Sequence, residues 1–144
     1  MMTTTNKPNT LFWVIAVIAV LWNIMGAFQY LSTTLWKEEM LATLTEEQQL
    51  VWNALPTWHV AIFAIAVWSG LIASLLLIAR KKWSVPLFLL SLIAVIVQMA
   101  YWLFGTDAME VFGPSTPVMP AIVTVLGLFF YFYSKSAKAK GWLK

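Results

Sequence analysis

The fold is decided by residues 57–104, which read TWHVAIFAIAVWSGLIASLLLIA, then RKKW, then SVPLFLLSLIAVIVQMAYWLF. Each of the two apolar blocks, at about 1.5 Å per helical residue, is long enough to cross about 30 Å of hydrocarbon. Neither block contains Asp, Glu, Lys or Arg. Because the basic link between them is so short, the two blocks are predicted to form an antiparallel helical hairpin.

The rest of the chain repeats this pattern. Of its 144 residues, 61% are hydrophobic and 10% are charged, whereas about a quarter of the residues of a globular domain are charged. Two more apolar segments, residues 11–35 and 117–134, also lack charged side chains. The sequence therefore predicts one all-α domain over residues 1–144, an integral membrane four-helix bundle of two antiparallel hairpins. Its spans are expected at about residues 11–35, 57–79, 84–104 and 117–134.

The charged residues between the spans predict the orientation, because Lys and Arg near span ends are retained in the cytoplasm. Of the nine basic residues, only Lys37 lies in the same loops as the six acidic residues. The other basic residues precede the first span, link the second span to the third, or follow the fourth. Both chain termini are therefore predicted to be cytoplasmic, and the two acidic loops are predicted to lie outside.

The first acidic loop carries a helix signal of its own. Thr45 and Gln48 have the spacing of a capping box, and the apolar residues that follow form a stripe opposite polar ones. This pattern predicts a short interfacial helix on the outer leaflet. In the second acidic loop, Gly113, Pro114 and Pro117 predict irregular structure until the fourth span begins.

Hydrogen-bonding side chains are few within the spans, and burying one without a partner costs several kcal/mol. Asn23 and Gln98 are expected in one layer, because they lie about 18 Å and about 21 Å from the inner ends of their spans. Polar residues of the outer half predict an outward-facing pocket for a small neutral ligand. The candidate ligand-binding residues are Asn23, Gln29, Tyr30, His59, Gln98 and Tyr101.

Five of these six residues also have a purely structural interpretation. Asn23 and Gln98 can pair with each other across two helices, which adds about 0.6 kcal/mol and fixes their register. Tyr30 and Tyr101 can belong to the aromatic belt at the membrane surface, and His59 can be a solvated residue at the headgroup level. The sequence leaves both interpretations open.

Small residues recur at every fourth position of the second span. Ala66, Gly70 and Ser74 form this stripe, which lets two helix backbones approach closely. The same pattern serves contacts within a bundle and contacts between two chains. We favour a contact inside the bundle.

The inventory of reactive groups is nearly empty, which argues against an enzyme. The chain has no Cys and a single His, and its spans carry no carboxylate that could act as an acid or base. The acidic residues of the outer loops are expected to set the topology and to cap helices. We therefore predict no catalytic residue, no metal site and no cofactor.

Several short motifs along nearly the whole chain resemble a family of small four-helix inner-membrane proteins of bacteria, some of which are designated sugar transporters. They are Leu21-Trp22-Asn23 with Gly26, Leu55-Pro56, Ala66-Val67-Trp68-Ser69-Gly70, Arg80-Lys81-Lys82-Trp83, Gln98, Met119-Pro120 and Ala139-Lys140-Gly141-Trp142-Leu143. The resemblance implies a multi-pass protein of the bacterial inner membrane with a transport-related role. It implies neither a particular substrate nor a catalytic residue.

Two functions follow as hypotheses. The first is binding, or facilitated passage, of a small neutral polar solute such as a sugar. The alternative is a non-catalytic accessory or structural subunit of a larger membrane complex. Membrane lipid is a partner in both cases, and both allow a homo-oligomer or a larger membrane-protein partner. Nucleic acid is expected in neither case, because the net charge of +3 reflects cytoplasmic anchoring.

The predicted orientation can be tested by cysteine labelling, since the natural chain contains no Cys. In Asp107→Cys the thiol should react with a membrane-impermeant maleimide on intact cells, because it lies in an acidic loop. In Ser136→Cys it should react only after the cells are opened. Labelling of both thiols from outside would refute the orientation.

Overall fold

The protein is an all-helical bundle. The computed structural model describes residues 7–144, which form seven α-helices and no strand. In chain order these are α1 (Thr10–Thr34), α2 (Lys37–Leu41), α3 (Glu46–Asn53), α4 (Thr57–Ile78), α5 (Ser84–Phe104), α6 (Ala108–Phe112) and α7 (Val118–Ala139). Helices α1, α4, α5 and α7 are long and apolar enough to cross a membrane. The predicted four-helix membrane fold is confirmed, with α7 continuing beyond the predicted end at residue 134.

The short helices lie in the two acidic loops. The predicted capping box is present at the start of α3, where the backbone N–H of Gln48 donates to Thr45 Oγ1 at 3.2 Å. The backbone N–H of Thr45 donates in return to Gln48 Oε1 at 3.1 Å. Helices α2 and α6 were not predicted. Because α6 runs to Phe112, the irregular segment of the second loop begins only at Gly113, whose φ is 96°.

The four long helices pack in a curved row, α1 on α4, α4 on α5 and α5 on α7. One end of the bundle contains residues 7–9, the α4–α5 link and the chain after α7. We call it the terminus end. The end with α2, α3 and α6 is the loop end. Helices α1 and α7 meet at the terminus end, where the Phe12 ring stacks on Tyr133 with centroids 6.3 Å apart.

The chain after α7 closes the terminus end. The backbone N–H of Lys144 donates to the Arg80 carbonyl at 2.8 Å, and that of Lys82 donates to the Lys144 carbonyl at 3.1 Å. Arg80 Nε donates to the Trp142 carbonyl at 2.8 Å. Leu143 is buried in the same hydrophobic core as Phe12. Residues 142–144 therefore join the α4–α5 link to the first turn of α1.

Gly70 marks the closest approach between three helices. A Cβ atom there would lie 2.9 Å from Ser91 Oγ of α5 and nearer still to Asn23 Oδ1 of α1. One turn away, Ser91 Oγ donates to the Ala66 carbonyl at 2.7 Å. Ala66, Gly70 and Ser74 are all buried, so in this chain the small-residue stripe lies inside the bundle.

We predict opposite effects for two glycine substitutions. Gly70→Ala should lower the free energy of unfolding by about 1–3 kcal/mol, because the added methyl group is forced against Asn23 and Ser91. Gly26→Ala is the matched control, because a Cβ there meets no heavy atom within 4 Å. This variant should be neutral or more stable by up to about 1 kcal/mol. Unfolding in detergent measures both, and equal stability of the two variants would contradict the packing at Gly70.

Candidate ligand-binding cavity

A cavity of about 670 Å³ lies between α1, α4, α5 and α7. It reaches from Phe88 and Phe130 to Trp102 and Thr116, and therefore extends from the second turn of α5 to the loop end. Pockets for small molecules usually measure about 300–1,000 Å³. The cavity is therefore large enough to hold an organic ligand.

Aromatic side chains close the cavity at both ends. At the floor, toward the terminus end, Phe88 of α5 and Phe130 of α7 stack with ring centroids 5.9 Å apart. At the loop end, the indole of Trp102 lies 5.0 Å from that of Trp52 on α3 and 5.7 Å from the ring of Phe112 on α6. Trp52, Trp102 and Phe112 form an aromatic roof over the cavity.

One side of the cavity is open, between α1 and α7. These two helices have no extended backbone contact within the described chain, and their ring contacts lie at the terminus end. Met25 of α1 and Met119 of α7 both line the cavity, yet 64% and 57% of their surfaces are exposed. Gly26 faces empty space beside Met25. We call this opening the α1–α7 gap.

The wall opposite the gap carries buried polar groups without partners. His59 is 3% exposed, and its Nε2 atom has no hydrogen-bond partner within residues 7–144. The His59 ring lies beside the backbone of Gln98. Gln98 is 7% exposed, and no hydrogen bond of its side-chain amide occurs in the described part of the chain. The antiparallel α4–α5 hairpin brings these two residues together.

Two deeper polar side chains of the cavity donate hydrogen bonds within the protein. Asn23 Nδ2 donates to the Ala19 carbonyl of its own helix at 2.7 Å, and the hydroxyl of Ser91 is bonded to Ala66. Asn23 lies at the level of Ser91. Because Gln98 follows Ser91 by seven residues along α5, Asn23 lies about 10 Å nearer the terminus end than Gln98 does. The expected common layer and pairing of Asn23 with Gln98 are therefore absent.

The physical reason is the position of α1 along the bundle axis. The prediction placed the inner ends of α1 and α5 at one depth. Instead, Phe12 in the first turn of α1 packs against Trp142 of the chain after α7, with ring centroids 5.7 Å apart. Because Asn23 of α1 lies level with Ser91 of α5, helix α1 extends about 9 Å further toward the terminus end than α5 does.

Four of the six candidate residues line the cavity, namely Asn23, Gln29, His59 and Gln98. The two tyrosines lie outside it. The ring of Tyr30 packs on that of Phe63, with centroids 5.3 Å apart. The ring of Tyr101 packs on those of Trp58 and His59, with centroid distances of 4.8 Å and 5.4 Å. Both tyrosine rings therefore pack on other aromatic side chains. The burial of His59 differs from that of a solvated interface residue.

Sequence reasoning missed the apolar residues that make up most of the cavity wall. They include Trp22, Phe88, Met99, Trp102 and Phe130. In a membrane span an apolar side chain can face lipid, another helix or a cavity, so composition does not separate these environments. Trp22 carries a sequence signal, because it lies in the middle of the first apolar segment, whereas Trp in a span usually lies near the membrane surface.

The chemistry of the wall favours an uncharged ligand. No Asp, Glu, Lys or Arg lines the cavity, and residues 7–144 contain no group of three side chains suited to a metal ion. A charged ligand would be buried without a counter-ion, which is costly. The arrangement offers apolar contacts on most sides and hydrogen bonds near His59 and Gln98.

Comparisons of the chain with protein-family models, with curated proteins and with solved structures found no match. Its function therefore has to be inferred from the cavity.

Gln98→Leu separates a ligand-binding role from a packing role. Because the Gln98 amide makes no hydrogen bond within residues 7–144, its replacement should leave the stability of the ligand-free protein unchanged within about 0.5 kcal/mol, or raise it. Thermal unfolding in detergent is the measurement, with Ser91→Ala as a control that removes an existing hydrogen bond. A large loss of stability in Gln98→Leu would mean that this amide supports the fold.

Proposed function

We propose that this protein binds a small uncharged molecule within the membrane, in the cavity between its four long helices. The observation that carries the proposal is the pair His59 and Gln98 in the cavity wall. His59 Nε2 is buried without a partner, and the Gln98 amide makes no hydrogen bond within residues 7–144. Burying an unsatisfied polar group costs about 1–3 kcal/mol. A ligand that hydrogen-bonds to both side chains offsets that cost, so the site gains most from an occupant that carries hydrogen-bonding groups.

The charge distribution supports an opening in the outer half of the bilayer. Basic residues lie at the terminus end, including Arg80, Lys82 and Lys138, and the acidic residues lie at the loop end. Since basic residues are retained in the cytoplasm, we place the loop end outside. The cavity then opens in the outer leaflet of the bacterial inner membrane.

A sugar-like solute and its passage across the membrane are the form of this function that the family resemblance favours. His59, Gln98 and the exposed Gln29 would bind hydroxyl groups near the loop end. Passage would also require Phe88 and Phe130 to separate, because their stacked rings close the floor. Binding is therefore the activity that the resting arrangement supports, and passage would need a conformational change.

Ligand-induced stabilisation tests the proposal. We expect the purified protein to gain several degrees of thermal stability with one member of a library of neutral sugars, polyols and amphiphiles, since a ligand at 100 times its Kd adds about 2.7 kcal/mol. Gly26→Phe should abolish the gain, because the ring fills the cavity from a position with free space. Ile24→Phe, at an exposed position on the opposite side of α1, should retain it.

Gln98→Leu should also reduce the gain, because it removes one of the two hydrogen-bonding side chains of the site. Equal stabilisation of the wild type and of Gly26→Phe by every ligand would refute binding in this cavity. Recovery of a stoichiometric partner protein, with no ligand effect, would instead favour an accessory subunit.

A further inference from the structure

We propose that the ligand is a neutral single-chain amphiphile, a molecule with an uncharged hydrogen-bonding head and one apolar chain, which enters from the lipid through the α1–α7 gap. This inference rests on the proposed function and specifies both the class of ligand and its route. It follows from the position of the opening, the polarity along the cavity and the absence of charge.

The opening faces lipid where it lies between Met25 and Met119. The aromatic roof of Trp52, Trp102 and Phe112 lies at the loop end of the cavity. Met25 and Met119 are exposed, apolar and part of two membrane-spanning helices, whereas the exposed polar lining residues Gln29 and Ser115 lie nearer the loop end. Flexible methionine side chains adapt readily to an apolar guest. A molecule dissolved in the bilayer can therefore reach the cavity without crossing the roof.

The polarity along the cavity matches that of a lipid in the adjacent leaflet. Unpartnered polar groups lie toward the loop end, at His59 and Gln98. Toward the bilayer centre the wall becomes apolar, with Val95, Gly127 and Phe130, and the hydroxyl of Ser91 is already bonded to a carbonyl. An amphiphile can therefore enter sideways, keeping its head near the membrane surface and its chain toward the centre.

The size and charge of the cavity restrict the amphiphile further. A volume of about 670 Å³ falls in the range of sites for drug-sized molecules, which suits one chain with a small head. The lining carries no charged side chain, so a phosphate or carboxylate head would be buried without a partner. Hydroxyl, ester or amide groups on the head suit His59 and Gln98 as hydrogen-bond partners.

Photo-crosslinking tests both the ligand class and the route. The probe is a monoacylglycerol with a diazirine in its chain, added to the full-length protein in phosphatidylcholine nanodiscs. We expect the label at the cavity floor, on peptides with Phe88 or Phe130, because both side chains are buried and can be reached from the cavity. Labelling of lipid-facing peptides around Ile18 serves as the internal control.

The route is tested by closing the gap. The natural chain has no Cys, so Met25→Cys with Met119→Cys can be bridged by a flexible bismaleimide. Bridging before the probe is added should reduce floor labelling by about tenfold, while lipid-facing labelling is unchanged. Bridging after the probe is added should preserve floor labelling, which shows that the site itself is intact. The unbridged double variant is the reference for both measurements.

The other outcomes overturn separate parts of the account. Undiminished floor labelling after prior bridging would refute entry through the gap and leave the proposed function standing. Equal floor labelling by a diazirine fatty acid, which is charged at neutral pH, would refute the neutral head. Stabilisation by a free sugar without floor labelling by the monoacylglycerol would refute the amphiphile. The proposed function itself would be refuted if no ligand raised the thermal stability of the wild type, or if Gly26→Phe kept every gain in stability.

Discussion

The close approach of three helices at Gly70 is the constraint on which the rest of the structure depends. Without a side chain at this position, Asn23 of α1 and Ser91 of α5 reach the same point of α4. Backbones that approach this closely gain the van der Waals contacts that drive helix association in lipid. The junction holds α1, α4 and α5 together in the middle of the bundle, and the cavity lies beside it.

The terminus end and the loop end differ because, in the described chain, α1 and α7 are joined at the terminus end. Phe12, Tyr133 and Trp142 bring α1 to α7, and the hydrogen bonds between Arg80 and Lys144 fix the chain after α7 to the α4–α5 link. Toward the loop end no comparable contact joins α1 to α7 in the described chain. The cavity and its gap are consequences of this one-sided closure.

The sequence predicted the features that depend on length, charge and local patterns. The four spans follow from uncharged apolar runs, and α3 follows from the capping box of Thr45 and Gln48, which the structure contains. The cavity was not predictable residue by residue, because Phe88 or Trp102 would look the same facing lipid. The depth of Asn23 was misjudged because α1 extends past α5, and that offset depends on the distant contact of Phe12 with Trp142.

An experimental structure of the protein extracted with its native lipids tests the central claim most directly. The account predicts an elongated density between α1 and α7 that reaches hydrogen-bond distance of His59 Nε2 and of the Gln98 amide, with its other end near Phe130. A bundle in which Met25 packs against Met119, with the cavity collapsed and both polar groups bonded within the protein, would contradict it.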